Sequence, residues 1–348
     1  MKVYVFSNEN ELVKIKKRLR KSVYIVGHYD LTSSVNYNFS DFKDIKVDIC
    51  IMASKEQKCA YDKMGLSFNY ITFSDFEKTY FLDPTTAFNN KMQYTSLLMG
   101  MSHLQCAVAG SGIKNRKCCN LAHPSMDLFL HYKFFEKLSK DNKKSFEHIE
   151  TVILEMPYYI FNYDLSRFNK FIYTKLKYFE IINDYHNFGK TEFEKQKIDE
   201  YKIFMQCFEQ EEKILDTKKI SKLRKILKRI YYQLLIAKNH DSVWYKQYHE
   251  TIKENEIYFE KLVKLVKQRC PNAKFKVLIM PFNPIFRWTH KKQIDISKEI
   301  FYNIISKYNI DIVDHFSYFN SSKWFNDHCH LNEKGAEKYT SILMNYLS

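Results

Sequence analysis

The chain has 348 residues, which at about 150 residues per domain is enough for one large globular core with an additional domain or insertion. Apolar residues make up 45% and aromatic residues 16% of the sequence, a composition that excludes disorder over most of its length. The excess of 55 basic over 40 acidic residues gives a net charge of +15, which favours an anionic partner without choosing among nucleic acid, phospholipid and anionic glycan.

The chain shows no segment of about 18 consecutive apolar residues, and it begins with a short strand-like run. We therefore expect a soluble protein in the cytoplasm. Its eight cysteines include no Cys-x-x-Cys pair, a usage typical of a reducing compartment. The sequence thus predicts neither a disulfide framework nor a structural metal site.

The first part of the chain alternates strand-like and helix-like segments, which predicts a small parallel α/β domain over residues 1–82. The predicted strands and helices alternate in the order 2–6, 10–20, 22–27, 47–52, 55–64 and 69–73. No glycine-rich phosphate-binding pattern follows any of these strands. We interpret this domain as a scaffold or docking unit rather than a nucleotide site, and residues 83–90 as a connector.

A second α/β series begins with the apolar run 94–99, which ends in Gly100-Met101-Ser102-His103 before a helix-compatible segment at 104–109. Further buried strands are predicted at 151–156, 274–280 and 311–315. The interval between the first two of these is far longer than a crossover requires, and its apolar residues recur at helical spacing. We therefore predict a second domain over 91–348 with a helical insertion at about 164–269.

One segment of the insertion, residues 213–238, begins with Lys213 and ends with Lys238. It carries nine Lys or Arg residues against one acidic residue, a local charge of +8, and its apolar residues follow one face of a helix. Two interpretations stay open: a core-facing stripe with a solvated basic back, or an amphipathic surface that contacts an anionic membrane or glycan. Nucleic acid is the least favoured partner, because no recognition motif accompanies the charge.

The C-terminal segment places two polar side chains on a short loop before the last predicted helix. Asp327 stands three residues before His330, and Asn332 can cap the helix that follows. A carboxylate at this spacing can orient an imidazole so that its other nitrogen faces a nucleophile. Ser102 is the candidate nucleophile, because it lies between a strand end and a helix start, where backbone N–H groups can stabilise an oxyanion. We therefore predict a catalytic triad of Ser102, His330 and Asp327.

Each of these residues also has a structural interpretation. Ser102 could serve only as a helix cap, and His330 could be an ordinary loop histidine. His103 could line the pocket or pack on the first helical turn. Ser111, between two glycines, is a rival nucleophile, although it lies at a predicted helix end where the dipole would not stabilise an anion.

Together, the Gly100-Met101-Ser102-His103 turn and the Asp327-x-x-His330-Leu-Asn-x-x-Gly335-Ala336 segment resemble the first and last blocks of the SGNH hydrolase/acyltransferase superfamily. The resemblance covers roughly residues 92–160 and 272–348. It implies an α/β fold with a flavodoxin-like three-layer parallel sheet, in which the serine follows the first strand. The small N-terminal α/β domain and the helical insertion lie outside the resemblance.

The blocks that supply the rest of the oxyanion hole in that superfamily are not evident here. The segment after the second strand reads Cys119-Asn120-Leu121-Ala122, and the one after the third reads Glu155-Met156-Pro157, with no Gly-x-Asn-Asp. Asn120 is our candidate for a side-chain oxyanion donor, and Gly100 and His103 are expected to complete the substrate-binding site. The pattern is similar to the branch of the superfamily that moves or removes acyl groups on cell-surface glycans.

The resemblance implies a serine-dependent esterase or O-acyltransferase that acts on an acylated glycan or lipid-linked sugar, with acetyl as the primary candidate for the acyl group. We expect this enzyme in the cytoplasm or at the inner membrane face. No metal and no cofactor are expected, except an acyl donor such as acetyl-CoA for a transferase. The alternative is a noncatalytic docking protein of a surface-polysaccharide pathway that binds a membrane or an anionic partner. Only the enzyme requires Ser102 and His330 to lie within hydrogen-bond distance.

Overall fold

The computed structural model describes residues 1–33, 46–64, 68–74, 84–88, 92–108, 117–168, 172–209 and 249–346. The chain forms two compact units, one made of Met1–Leu82 and Ser166–Asp216, the other of Asp83–Leu165 and Thr217–Ser348. The predicted insertion is therefore divided between the two units instead of belonging to the second alone. Its basic segment, residues 213–238, lies outside the described residues.

The described elements are numbered in chain order. The strands are β1 (Lys2–Phe6), β2 (Tyr24–Tyr29), β3 (Ile49–Met52), β4 (Tyr70–Thr72), β5 (Ser96–Met99), β6 (Cys118–Asn120), β7 (Thr151–Glu155), β8 (Lys274–Ile279) and β9 (Asp311–Asp314). The α-helices are α1 (Glu9–Arg18), α2 (Lys55–Lys63), α3 (Ser102–Ala107), α4 (Leu128–Asp141), α5 (Lys143–Phe146), α6 (Ile172–Ile182), α7 (Glu192–Cys207), α8 (His249–Arg269), α9 (Pro284–Thr289), α10 (Lys291–Ile305) and α11 (Glu333–Leu343).

The first unit contains a four-stranded parallel sheet in the order β2-β1-β3-β4. Its apolar core is formed by Phe6, Leu31, Cys50, Met52 and Tyr61. α6 and α7 belong to the same unit, where the Phe204 ring lies 6.4 Å and the Phe208 ring 5.0 Å from the ring of Phe73, just after β4. An amphipathic helix buries its apolar face against whichever element is near, and sequence periodicity does not specify which sheet that is.

The second unit contains a five-stranded parallel sheet in the order β6-β5-β7-β8-β9. Counted from β5 this is the order 2-1-3-4-5 of flavodoxin-like sheets. β5 and β7 are buried along their whole length, as expected of parallel strands covered on both faces. The α/β class and the parallel sheets predicted from the alternation of elements are confirmed.

One face of the second sheet packs against the two helices that flank the predicted site. Leu98, Ile153 and Leu278 from the sheet share a buried cluster with Leu104 of α3 and Tyr339 of α11. The order of the strands reverses between β5 and β7, and open α/β sheets bind ligands in the crevice beyond the carboxyl ends of the strands at such a point. The turn after β5 and the last residue of β7 both lie there.

No described helix combines the length and the hydropathy that a membrane span requires.

Candidate active site

The turn that joins β5 to α3 places Ser102. Gly100 and Met101 follow the strand, and Ser102 is the first residue of the helix. The N-cap position is occupied by Met101, which makes no side-chain capping bond, so the Ser102 hydroxyl does not serve as the helix cap. Ser102 Oγ lies 2.8 Å from His330 Nε2. The structure thus brings the predicted nucleophile and the predicted base within hydrogen-bond distance.

Asp327 orients the His330 ring from the same loop. Its Oδ2 lies 2.8 Å from His330 Nδ1, and its Oδ1 accepts the N–H groups of Cys329 at 2.9 Å and His330 at 2.8 Å. Burial raises the pKa of Asp327, but its hydrogen bonds to His330 and the Cys329 N–H outweigh burial and hold the pKa well below its usual value. The ionised carboxylate favours the tautomer with hydrogen on Nδ1, which leaves Nε2 to accept a proton.

Asn332 closes the base of the loop before α11. Its Oδ1 accepts the N–H of Gly335 at 3.0 Å as the helix N-cap, and its Nδ2 donates to the Lys323 carbonyl at 2.6 Å. Its backbone N–H donates to the Trp324 carbonyl at 2.9 Å. A Cβ on Gly335 would lie only 2.3 Å from the same Trp324 carbonyl oxygen. The Asn-x-x-Gly spacing therefore lets the first turn of α11 pack closely against the backbone of Trp324.

A buried carboxylate that the sequence analysis did not select lies behind Ser102. Glu155, the last residue of β7, is fully buried; its Oε2 accepts the Met101 N–H at 2.7 Å and its Oε1 lies 3.0 Å from His103 Nδ1. His103 is only 3% exposed, so it packs behind the turn. Gly100 adjoins the same carboxylate. A sequence signal was available, because a lone carboxylate that ends a buried apolar strand lies where α/β sheets place their sites.

Asn120 is the last residue of β6, the strand beside β5. Its Oδ1 accepts the Ala122 N–H at 3.0 Å, and farther along the His123 N–H donates to the Gly100 carbonyl at 2.9 Å. These bonds hold the segment after β6 beside the turn that carries Ser102. The role of Asn120 as an oxyanion donor stays a prediction. The rival nucleophile Ser111 lies outside the described residues.

Metal-ligating atoms also meet at this site. Among the described residues, three groups of side chains bring such atoms within 4.8 Å of one another, and one of them consists of His103, Cys329 and His330. Both imidazoles already have carboxylate partners, Glu155 and Asp327. Burial, followed by these two negative charges, raises the pKa of the Cys329 thiol well above its usual value, which favours the protonated form over a metal-binding thiolate. The expectation that the site requires no metal stays a prediction.

Comparison with known proteins adds no family. No protein-family model and no curated protein matches the chain. A solved structure from Streptococcus pneumonia, provisionally described as a platelet activating factor, is 11% identical, covers 79% of this chain and 92% of its own, and has a TM-score of 0.38. An extracellular lipase from Streptomyces rimosus is 10% identical to this chain and has a TM-score of 0.32. The match covers 73% of this chain and 100% of the lipase. At these scores neither likeness supports an inference about the reaction.

Proposed function

We propose that the protein is a serine esterase or O-acyltransferase that cleaves or transfers an acyl group on a glycan or lipid-linked sugar. Acetyl is the primary candidate for this acyl group. One observation carries the proposal: an unbroken row of hydrogen-bonding atoms from Ser102 Oγ through His330 to Asp327, with both distances 2.8 Å. The row lies at the carboxyl edge of a parallel sheet, beside the reversal of strand order. A docking protein has no need of this arrangement.

The reaction follows from the roles of these atoms. Ser102 Oγ attacks the ester carbonyl as its proton passes to His330 Nε2, and Asp327 stabilises the imidazolium that forms. The tetrahedral intermediate collapses when His330 returns the proton to the departing alcohol, which leaves an acyl group on Ser102. A second attack, by water or by a sugar hydroxyl activated by His330, releases the acyl group and restores the serine.

The negative oxygen of the intermediate requires donors near Ser102. The first N–H groups of α3, including that of Ser102, have no acceptor within the helix. They lie at the helix N-terminus, where the helix dipole favours a negative charge. Asn120, beside the turn, is the candidate side-chain donor.

Hydrolysis and transfer differ only in the second acceptor. For a transferase, acetyl-CoA or a related thioester would acylate Ser102, and a sugar hydroxyl would replace water. The sequence resemblance supports a glycan substrate, and the geometry of Ser102, His330 and Asp327 supports the serine chemistry.

The test is labelling of the protein with a fluorophosphonate, together with hydrolysis of p-nitrophenyl acetate. We expect the label on Ser102 and a loss of at least about 10³-fold in kcat for Ser102→Ala. Ser341→Ala, which removes an exposed hydroxyl from α11, is the control and should behave like the wild type. Equal labelling of Ser102→Ala and wild type would refute the proposal. Adding a sugar acceptor to the acylated enzyme then distinguishes transfer from hydrolysis.

A further inference from the structure

One buried carboxylate holds the residues on both sides of Ser102. Glu155 Oε2 accepts the N–H of Met101, the residue before the serine, at 2.7 Å. Glu155 Oε1 lies 3.0 Å from Nδ1 of His103, the residue after it. Neither Glu155 nor His103 is exposed beyond 3%. The strand β7 and the turn after β5 are therefore tied together at the position of the nucleophile.

The neighbouring backbone is shaped to admit this carboxylate. A Cβ on Gly100 would lie 2.6 Å from Glu155 Cβ and 2.8 Å from Glu155 Oε2. The glycine thus lets the carboxylate approach close enough to accept the Met101 N–H. Burying a charge is unfavourable unless it is paired, and an apolar residue of similar size often contributes as much to stability. The carboxylate at this place therefore does more than fill the core, since it accepts the Met101 N–H and faces His103.

We propose that Glu155 and His103 are positioning residues for the reaction of Ser102, an inference that rests on the proposed function. The carboxylate fixes the peptide between Gly100 and Met101, directly before the serine, and this holds Ser102 Oγ in the direction of His330. The ring of His103 lies 5.5 Å from that of His330 and 5.4 Å from that of Phe282, so the same pair supports one side of the base.

The size of the expected effect follows from the Ser102–His330 distance. At 2.8 Å the two atoms form a direct hydrogen bond, and a displacement of about 1 Å in such a constellation costs on the order of 10²-fold in rate. Because small esters make few contacts with the protein, their binding should change far less than their turnover.

The first variant is Glu155→Gln. The amide keeps one acceptor oxygen for the Met101 N–H, but its NH2 group can face His103 Nδ1 only if the ring changes tautomer, and the charge-assisted character of both bonds is lost. We expect kcat for p-nitrophenyl acetate and the rate of fluorophosphonate labelling of Ser102 to fall by about 10- to 100-fold, with KM within about threefold of wild type.

A matched control separates positioning from general loss of stability. Asp127 is also a buried acid, and its two carboxyl oxygens accept the N–H groups of Leu130 and Leu165, each at 2.8 Å. Asp127→Ala should lower the melting temperature while leaving both rates unchanged below it. A fall in both rates equal to that of Glu155→Gln would overturn the positioning role.

A pair of His103 variants tests the same bond from its other end and serves if Glu155→Gln does not fold. The amide nitrogen of Asn can replace Nδ1 as donor to Glu155 Oε1, whereas Gln, longer by one methylene, reaches past that position. We expect His103→Asn to exceed His103→Gln at least about fivefold in both rates, the two variants having similar melting temperatures. Equal rates would overturn the inference.

The outcomes for the inference and for the proposed function are distinguishable. A wild-type protein that is labelled at Ser102, with Glu155→Gln labelled equally fast, overturns the positioning role alone. A wild-type protein that is not labelled at Ser102 overturns the proposed function, and the inference fails with it.

Discussion

Asp327 shows at the scale of a single residue why the spacing Asp-x-x-His is effective. Its Oδ1 accepts two backbone N–H groups of its own loop, and the resulting tight turn brings the His330 ring back to Oδ2. One side chain thus both folds the loop and orients the imidazole. Removing the carboxylate charge should therefore affect stability as well as activity.

The lowered pKa of Asp327 predicts how that stability depends on pH. Because the folded protein holds the pKa below its usual value of 3.8, the ionised carboxylate stabilises the fold fully above that value, and this contribution is lost as the pH falls through the lowered pKa. We expect the difference in free energy of unfolding between wild type and Asp327→Asn to shrink as the pH falls from about 4 toward the lowered pKa of Asp327.

Urea unfolding at a series of pH values measures this difference. The control is Asp295→Asn, whose exposed carboxylate forms an i,i+4 pair with Lys291 at 3.0 Å and should contribute little at any pH. A wild-type advantage over Asp327→Asn that grows as the pH falls below about 4 would contradict the assignment.

At the scale of elements, the site depends on how two helices begin. α3 begins at Ser102 directly after β5, and α11 begins after the Asn332 cap that also closes the loop carrying His330. A glycine lies near each start and leaves room for a close neighbour, the Glu155 side chain at Gly100 and the Trp324 carbonyl at Gly335. The starts of α3 and α11 therefore fix the positions of the turn that carries Ser102 and of the loop that carries His330.

Substitutions at the start of α11 should affect both stability and activity. Asn332→Ala removes the cap and one further side-chain hydrogen bond, to the Lys323 carbonyl, and should cost about 1–2 kcal/mol of unfolding free energy. Gly335→Ala should cost about 1–3 kcal/mol, because the neighbouring atom is a backbone carbonyl that cannot rotate away.

Both variants should also lower kcat, since the loop positions His330. Lys334→Ala, an exposed residue in the same helical turn, is the control and should stay within about 0.5 kcal/mol of wild type. Unfolding in urea and p-nitrophenyl acetate hydrolysis give the two measurements. An unchanged free energy of unfolding for both Asn332→Ala and Gly335→Ala would show that the loop does not depend on the helix start.

At the scale of the whole molecule, charge is concentrated in one stretch of sequence. Residues 213–238 carry +8 of the net +15, outside the part of the chain that the structure describes. We propose that this segment binds anionic lipid, a function separable from the serine chemistry.

Replacing five basic residues by Gln tests the lipid proposal: Lys222, Arg224, Lys225, Lys228 and Arg229. We expect binding to phosphatidylglycerol vesicles at low salt to be lost, with p-nitrophenyl acetate hydrolysis nearly unchanged. Wild-type binding should also weaken steeply toward 1 M salt, where the screening length is about 3 Å. A control of equal charge change uses exposed lysines of the first unit: Lys14, Lys16, Lys17, Lys21 and Lys55. Equal binding by the two variants would show that the segment is ordinary surface charge.

The sequence alone determined features that depend on local patterns. The apolar runs that become β1, β5 and β7 were found because short buried strands bounded by turn residues are visible without knowledge of contacts. Local patterns also point to Ser102, just after the end of an apolar strand, and to Asp327 and His330, on the short loop before the last helix. Boundaries were less accurate: β2, predicted at 22–27, spans Tyr24–Tyr29, because flanking residues of similar propensity compete for the strand ends.

Only the tertiary structure decided which distant segments meet. Ser102 and His330 are 228 residues apart, and Glu155 is 54 residues from Met101, so their hydrogen bonds leave no trace in the periodicity of either segment. The assignment of α6 and α7 to the first unit likewise depends on which apolar surface lies near them. Local sequence determines helices, strands and caps through interactions over a few residues. The partner of a buried carboxylate is instead determined by the spatial order of the strands in the sheet.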